Sequence, residues 1–216
     1  MVVKLLDSMG SDLTVVNAAR VSFNKQHMEI EQGDYGLIKY LAKYNHWSPF
    51  AHCFLQFRIK APIFVARQLG KHQVGLCWNE ISRRYVNYSP ELWTAETGWR
   101  KAADNKKQGS GAVSPFNQAA KSIQNRVHTK CLDSYKELLD LGICEEQARA
   151  VLPQSMMTEW YWSGSLFAFS RVASLRLSED SQQETTEIVR QISKECANIF
   201  PHSWKALTFN YEIGEG

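Results

Sequence analysis

The segment HCFLQFRIKAP alternates without a break: Leu55, Phe57 and Ile59 fall on one side, Gln56, Arg58 and Lys60 on the other. Successive side chains of a strand point to opposite faces, so this period of two specifies a half-buried strand. Helical periods surround it. SDLTVVNAARVS reads as a helix capped by Ser11 or Asp12, and Gln32 to Tyr44 carries apolar residues at helical spacing until NHWSPFAH, with Pro49, stops the pattern. VVKLLDSM reads as an opening strand, and IFVARQLG as a short helix that starts near Pro62 and stops at Gly70. Further helices are expected over Phe116 to Leu141, Glu145 to about Leu152, SGSLFAFSRVASLRL and SQQETTEIVRQISKECANIF. NEISRRYVNY fits an extended segment, and about 94–120 is a polar stretch with GSG and Ser-Pro, expected as a long loop or insertion. The order is α/β (α+β), within one domain spanning 1–216.

Composition narrows the class. A chain of 216 residues with 44% hydrophobic and 22% charged side chains can bury a core without disulfides or metals. A net charge of +3 permits an anionic small ligand but falls short of the basic excess of a nucleic-acid-binding fold. Cys53, Cys77, Cys131, Cys144 and Cys196 form no CxxC pair, which favours reduced thiols. No stretch reaches the roughly 18 to 20 apolar residues of a membrane span. The expectation is a soluble, cytoplasmic protein (host cytoplasm if the source is viral), bound to neither membrane nor nucleic acid.

Chemistry concentrates in KHQVGLCWNEISRRY, Lys71 to Tyr85. His72 between Lys71 and Gln73 has a bland reading as a solvated turn. Farther on, Ser82 with Arg83 and Arg84 offers a hydroxyl and forked cationic donors suited to a phosphate, although on a strand only one arginine of the pair need face the ligand. Arg176 shares a helical stripe with Phe169, Val172 and Ala173, so its charge either meets a carboxylate or faces a ligand. Arg171 lies on another side of that helix. His46, His52 and Cys53 match no zinc spacing, and no metal site is expected. The aromatics from Trp160 to Phe169 read as core. GxSxG, GxGxxG and GxxxxGK[ST] are all absent. The residues by themselves stop at an anion-binding α/β protein.

ARQLGKHQVGLCWNEISRRY resembles the signature of the flavin-dependent thymidylate synthases, in which Arg-His-Arg is followed by Ser and then Arg-Tyr. NAARVSF, HWSPFAHCFLQFRIKAPIFVARQ and EQARAVLP with SLFAFSRVASLRL resemble other segments of that family in the same order. The departures are specific. Lys71 and Gln73 replace the flanking arginines, the spacer Val74 to Ile81 is one residue long of the pattern, Ala51 replaces a Glu, and Ser165 and Arg171 stand where Asn or His is common.

The resemblance implies a central mixed or antiparallel sheet flanked by helices. It also implies reductive methylation of dUMP to dTMP in de novo dTMP biosynthesis, with 5,10-methylenetetrahydrofolate as one-carbon donor and NADPH-reduced FAD as hydride donor. In that family no cysteine attacks the pyrimidine, so the resemblance gives no reason to read Cys77 as a nucleophile merely because it lies in the motif. By the same resemblance Gln68, Lys71, Glu80, Ser82, Arg83, Arg84, Arg149 and Arg176 bind dUMP, and Arg176 is the catalytic cation that polarises the uracil. Ser48, Lys71, His72, Gln73, Glu80, Ser165, Phe167 and Arg171 hold FAD. A homotetramer with active sites shared between subunits is implied too. The alternative is a catalytically silent nucleotide-binding relative that has lost flavin use.

Overall fold

The computed structural model describes residues 1–86, 88–103 and 109–212, with side chains described as far as Thr208. β1 (Val2–Met9) leads to α1 (Asp12–Arg20), a 3₁₀ turn (Val21–Phe23), α2 (Gln32–Lys43) and the short α3 (Ser48–Ala51). β2 (Phe54–Pro62) runs directly into α4 (Ile63–Leu69), followed by β3 (Leu76–Glu80), the strands β4 (Arg100–Ala102) and β5 (Ser110–Val113), and the long α5 (Asn117–Asp140). Then come α6 (Glu145–Ala148), a 3₁₀ turn (Arg149–Val151), β6 (Met157–Ser165), α7 (Leu166–Arg176), α8 (Gln183–Ile199) and α9 (Pro201–Glu212).

The alternating segment is β2, in the interior of a four-stranded antiparallel sheet of order β1-β2-β6-β3. Leu55, Phe57, Ile59 and Ala61 are buried. Opposite them, Trp162 pairs with Phe57 and Trp160 with Ile59, so β6 supplies the heaviest part of the same dry face. Arg58 with Glu159 and Gln56 with Ser163 occupy the wet face, where Gln56 Nε2 donates to Ser163 Oγ at 3.0 Å. An antiparallel sheet tolerates this one-sided covering because it needs no crossover helix on the second face.

Helices cover the dry face. Phe169 of α7 meets both Phe57 and Trp162 edge-on, with ring centroids 5.1 and 5.4 Å apart. Val15 and Val16 of α1, Ile38 of α2, Phe50 of α3, Leu69 of α4 and Ile188 of α8 complete one core. Burying each such side chain contributes about 1.5 to 3 kcal/mol, enough to override weak local propensities.

Some sequence expectations need amending. β6 was expected as aromatic core followed by helix; the strand consumes EWYWSGS, and the helix begins only after Ser165, whose Oγ accepts the Ala168 N–H at 3.1 Å as its cap. α2 ends before Pro49, where Asn45 adopts φ +56, and Pro49 instead opens α3. The polar stretch is not a bare loop: β4 and β5 pair within it, and residues 104–108 of it lie outside the described residues. Within NEISRRYVNY the strand ends at Glu80, and Ser82 to Tyr85 forms a turn in which Tyr85 N–H donates to Ser82 O at 3.1 Å; Asn87 lies outside the described residues. Among the described residues no helix is long and apolar enough to cross a membrane.

Candidate active site

Two glycines seat the motif loop. α4 ends as Gly70 N–H donates to Ala66 O at 2.8 Å, and His72 N–H caps Leu69 O at 3.0 Å. The chain then reverses at Gly75, whose φ of +76 is a left-handed conformation that suits glycine. Leu76 pairs with Gly164 on β6, and a Cβ on Gly164 would stand 2.5 Å from both Gly75 O and Leu76 Cδ2. Ser165 N–H donates to Gly75 O at 3.3 Å. The loop carrying Lys71, His72 and Gln73 is thus pressed onto the junction of β6 and α7, with Lys71 and Gln73 exposed on either side of half-buried His72.

Arg176, in the last turn of α7, donates from Nε to His72 Nε2 at 3.0 Å. An arginine nitrogen only donates, so His72 offers a lone pair at Nε2 and carries its proton on Nδ1, neutral. Burial pushes the His72 pKa below its ordinary value, and the charges of Arg176 and Arg171 push the same way. Arg176 Nε therefore meets an imidazole rather than a carboxylate, while Phe169, Val172 and Ala173 of its stripe are buried as expected. Consecutive threonines of α8 tie this group to α4: Thr186 Oγ1 donates to Arg176 O at 2.9 Å, and Thr185 Oγ1 to Gln68 Oε1 at 3.3 Å.

Glu80, at the end of β3, accepts from Thr158 Oγ1 at 2.5 Å and from Trp78 Nε1 at 3.1 Å, which holds its carboxylate in place although the residue is exposed. Beyond it the two arginines part. Arg83 is buried: its guanidinium donates to Tyr88 O and lies 4.4 Å from the Tyr88 ring centroid, so it braces the turn. Arg84 is exposed; its backbone N–H donates to Ser82 Oγ at 3.3 Å and its Nε donates to Glu146 Oε2 at 3.0 Å. Arg149 donates from Nε to Glu146 O at 3.1 Å, so Glu146 gathers Arg84 and Arg149 of the same chain.

A cleft of about 830 Å³ opens between α2, α7 and α9. Lys39, Lys43, Arg171 and Lys205 line it together with the rings of Trp47 and Phe167, whose centroids are 6.1 Å apart, and among the described residues no Asp or Glu belongs to its wall. Ser48 adjoins Trp47 at the start of α3. A cavity of this size with cations and planar rings suits an anionic ligand that carries a flat heterocycle, and a flavin dinucleotide is one. Ser165 is buried at the α7 cap. Lys39, Lys43, Lys205, Trp47, Thr185 and Gln182 were not foreseen. The spacing of Lys39 and Lys43 on α2 was the one available signal, and it is equally that of a solvated helix face.

The family described as Thymidylate synthase complementing protein (Thy1) matches residues 4–202. The chain is 35% identical over 214 residues to a flavin-dependent thymidylate synthase of Thermus thermophilus, covering 99% of this chain and 77% of that protein. It is 35% identical over 212 residues to that of Kosmotoga olearia, covering 97% and 91%. In structure it is similar to a UMP/dUMP methylase, PolB, from Streptomyces cacaoi crystallised with 5-Br dUMP, at TM-score 0.88 and 30% identity over 96% of this chain and 94% of that one. A four-stranded antiparallel sheet carrying this motif loop, matched along nearly its whole length, places the chain in the flavin-dependent thymidylate synthase family.

Proposed function

We propose that this protein converts dUMP to dTMP by reductive methylation, with 5,10-methylenetetrahydrofolate as one-carbon donor, FAD as cofactor and NADPH as reductant. The observation that carries the reading is that Arg176 meets His72 and is tied through Thr186 and Thr185 of α8 to Gln68, while Arg171, on the same helix as Arg176, lines a cationic, aromatic cleft. Arg84 and Arg149, gathered by Glu146, bind the dUMP phosphate, and the Ser82 hydroxyl adds a neutral donor. His72 holds Arg176 through Nε, which leaves the remaining guanidinium N–H groups to a uracil oxygen, where a fixed cation stabilises charge as it develops in the transition state. Ser48, Phe167 and Arg171 hold the flavin in the cleft, with Lys71, Gln73, Glu80 and Ser165 at the border with the nucleotide. When bound and reduced, the flavin supplies the hydride. The protein works in the cytoplasm as a homotetramer, its sites completed between copies.

The test is an anaerobic assay of purified protein with dUMP, methylenetetrahydrofolate, FAD and NADPH, run beside Arg176→Ala. Wild-type protein forms dTMP; Arg176→Ala stays folded and yellow but loses nearly all turnover, because the removed charge acts chiefly in the transition state. Binding of dUMP without any dTMP from wild-type protein would return the catalytically silent reading.

A further inference from the structure

A run of side-chain hydrogen bonds connects the polar insertion to Gln68. Arg100 on β4 donates from Nε to Ser110 Oγ on β5 at 2.6 Å, and from Nη2 to Glu184 Oε1 at 2.6 Å. The other oxygen of buried Glu184, Oε2, accepts from Gln182 Nε2 at 3.1 Å. Gln182 Oε1 in turn accepts from Gln68 Nε2, while Thr185 Oγ1 donates to Gln68 Oε1 at 3.3 Å.

The charged end imposes the direction of the whole run. An ionised carboxylate only accepts, so Gln182 must turn its NH₂ toward Glu184 and its carbonyl oxygen toward Gln68. Gln68 must then answer with its own NH₂. An isolated glutamine is free to exchange the positions of its oxygen and nitrogen; this one is held in a single orientation by a carboxylate two side chains away. One N–H of Gln68 Nε2 is spent on Gln182, and the second has no protein acceptor among the described residues' hydrogen bonds.

We infer that Arg100, Glu184 and Gln182 are positioning residues, which fix Gln68 as a hydrogen-bond donor toward an oxygen of the nucleotide. The hairpin of the polar insertion acts on the active site by this route. The inference rests on the reading of Gln68 as a dUMP ligand given above.

Calorimetric titration of dUMP into the full-length protein tests it, with wild type, Gln68→Met, Gln182→Met, the double variant and Glu184→Gln. Gln182→Met cuts the run but leaves the Arg100–Glu184 pair whole, so no buried charge is stranded. It is expected to weaken dUMP binding about fivefold to tenfold, the worth of one misdirected hydrogen bond, and to raise KM for dUMP with kcat within about twofold. In the Gln68→Met background the same change has no further effect, since no amide remains to be oriented. Glu184→Gln, nearly equal in volume, behaves like Gln182→Met and keeps the question answerable should that variant fail to fold. Unweakened dUMP binding by Gln182→Met or Glu184→Gln overturns the relay. Equal weakening in both Gln68 backgrounds overturns it too, because it marks a general loss of packing. Absence of dUMP binding by wild-type protein overturns the nucleotide reading itself and the relay with it, and the wild-type titration alone identifies that outcome.

Discussion

Gly164→Ala is the sharpest probe of how the motif loop is held. The new Cβ would lie 2.5 Å from Gly75 O and from Leu76 Cδ2, and 3.3 Å from Leu76 Cα. Leu76 can rotate its side chain away, but Gly75 O is backbone and already accepts from Ser165 N–H at 3.3 Å. Relief therefore requires the loop to withdraw from β6 by roughly 0.5 to 1 Å, and overpacking of this kind costs about 1 to 3 kcal/mol. For a chain of this size that lowers Tm by about 2 to 4 °C for each kcal/mol. Because the same loop carries His72, which holds Arg176, a displacement approaching 1 Å is expected to reduce turnover by about 100-fold. Gly36→Ala is the control: nothing lies within 4 Å of its Cβ position inside α2, so it should stabilise by about 0.5 to 1 kcal/mol and leave turnover alone. Thermal melts and dTMP formation on both variants read the outcome. A Gly164→Ala protein with wild-type Tm and wild-type turnover would show that the loop is not seated as described, and the reasoning from contact distance would fall.

Three further outcomes are expected. His72 has a folded pKa below the ordinary 6.5. As pH falls through 6.5 the unfolded chain takes up a proton that the folded chain refuses, so this contribution to stability is present above that value, is lost on acidification, and levels off below the lowered folded pKa. Melts of wild type against His72→Gln at about pH 8 and about pH 5.5 read it through the difference, since His128, also lowered by burial, is common to both; a wild-type melt no more acid-sensitive than that of the variant would be inconsistent with it. Restoring arginine at Lys71 and Gln73 together should tighten FAD binding by about threefold to tenfold if planar charge at that loop is what the flavin lacks, and an unchanged Kd removes the charge explanation. Arg84→Ala and Arg176→Ala proteins, each inactive alone, should regain activity in about a quarter of sites after refolding together if Arg84 of one copy serves the same nucleotide as Arg176 of another; no gain in verified mixed oligomers means each site is built within one chain.

The fold was legible wherever local chemistry is strong. Period-two alternation gave β2, the Ser11–Asp12 pair marked the start of α1, with Ser11 the cap in the structure, and Pro62 stands where α4 begins, because these signals depend on residues a few positions apart. The motif loop and its neighbours were legible through family resemblance, and the lone cation on the stripe of α7 through helical spacing. What pairs with what was not. The strand β6 was hidden because Trp160 and Trp162 suit a buried helix or strand equally, and only its ladders with β2 and β3 decide between them. Adjacent Arg83 and Arg84 are chemically the same residue in the sequence, and the turn after Glu80 alone sends one inward to Tyr88 and the other outward to Glu146. The meeting of His72 with Arg176 spans 104 positions, and that of Gln68 with Gln182 spans 114. The sequence by itself determined which groups are present and the local elements that carry them. The packing of α4, α7 and α8 over the sheet decided which groups meet, because hydrogen bonds between distant residues depend on where the backbones are placed and leave no periodic mark in the chain.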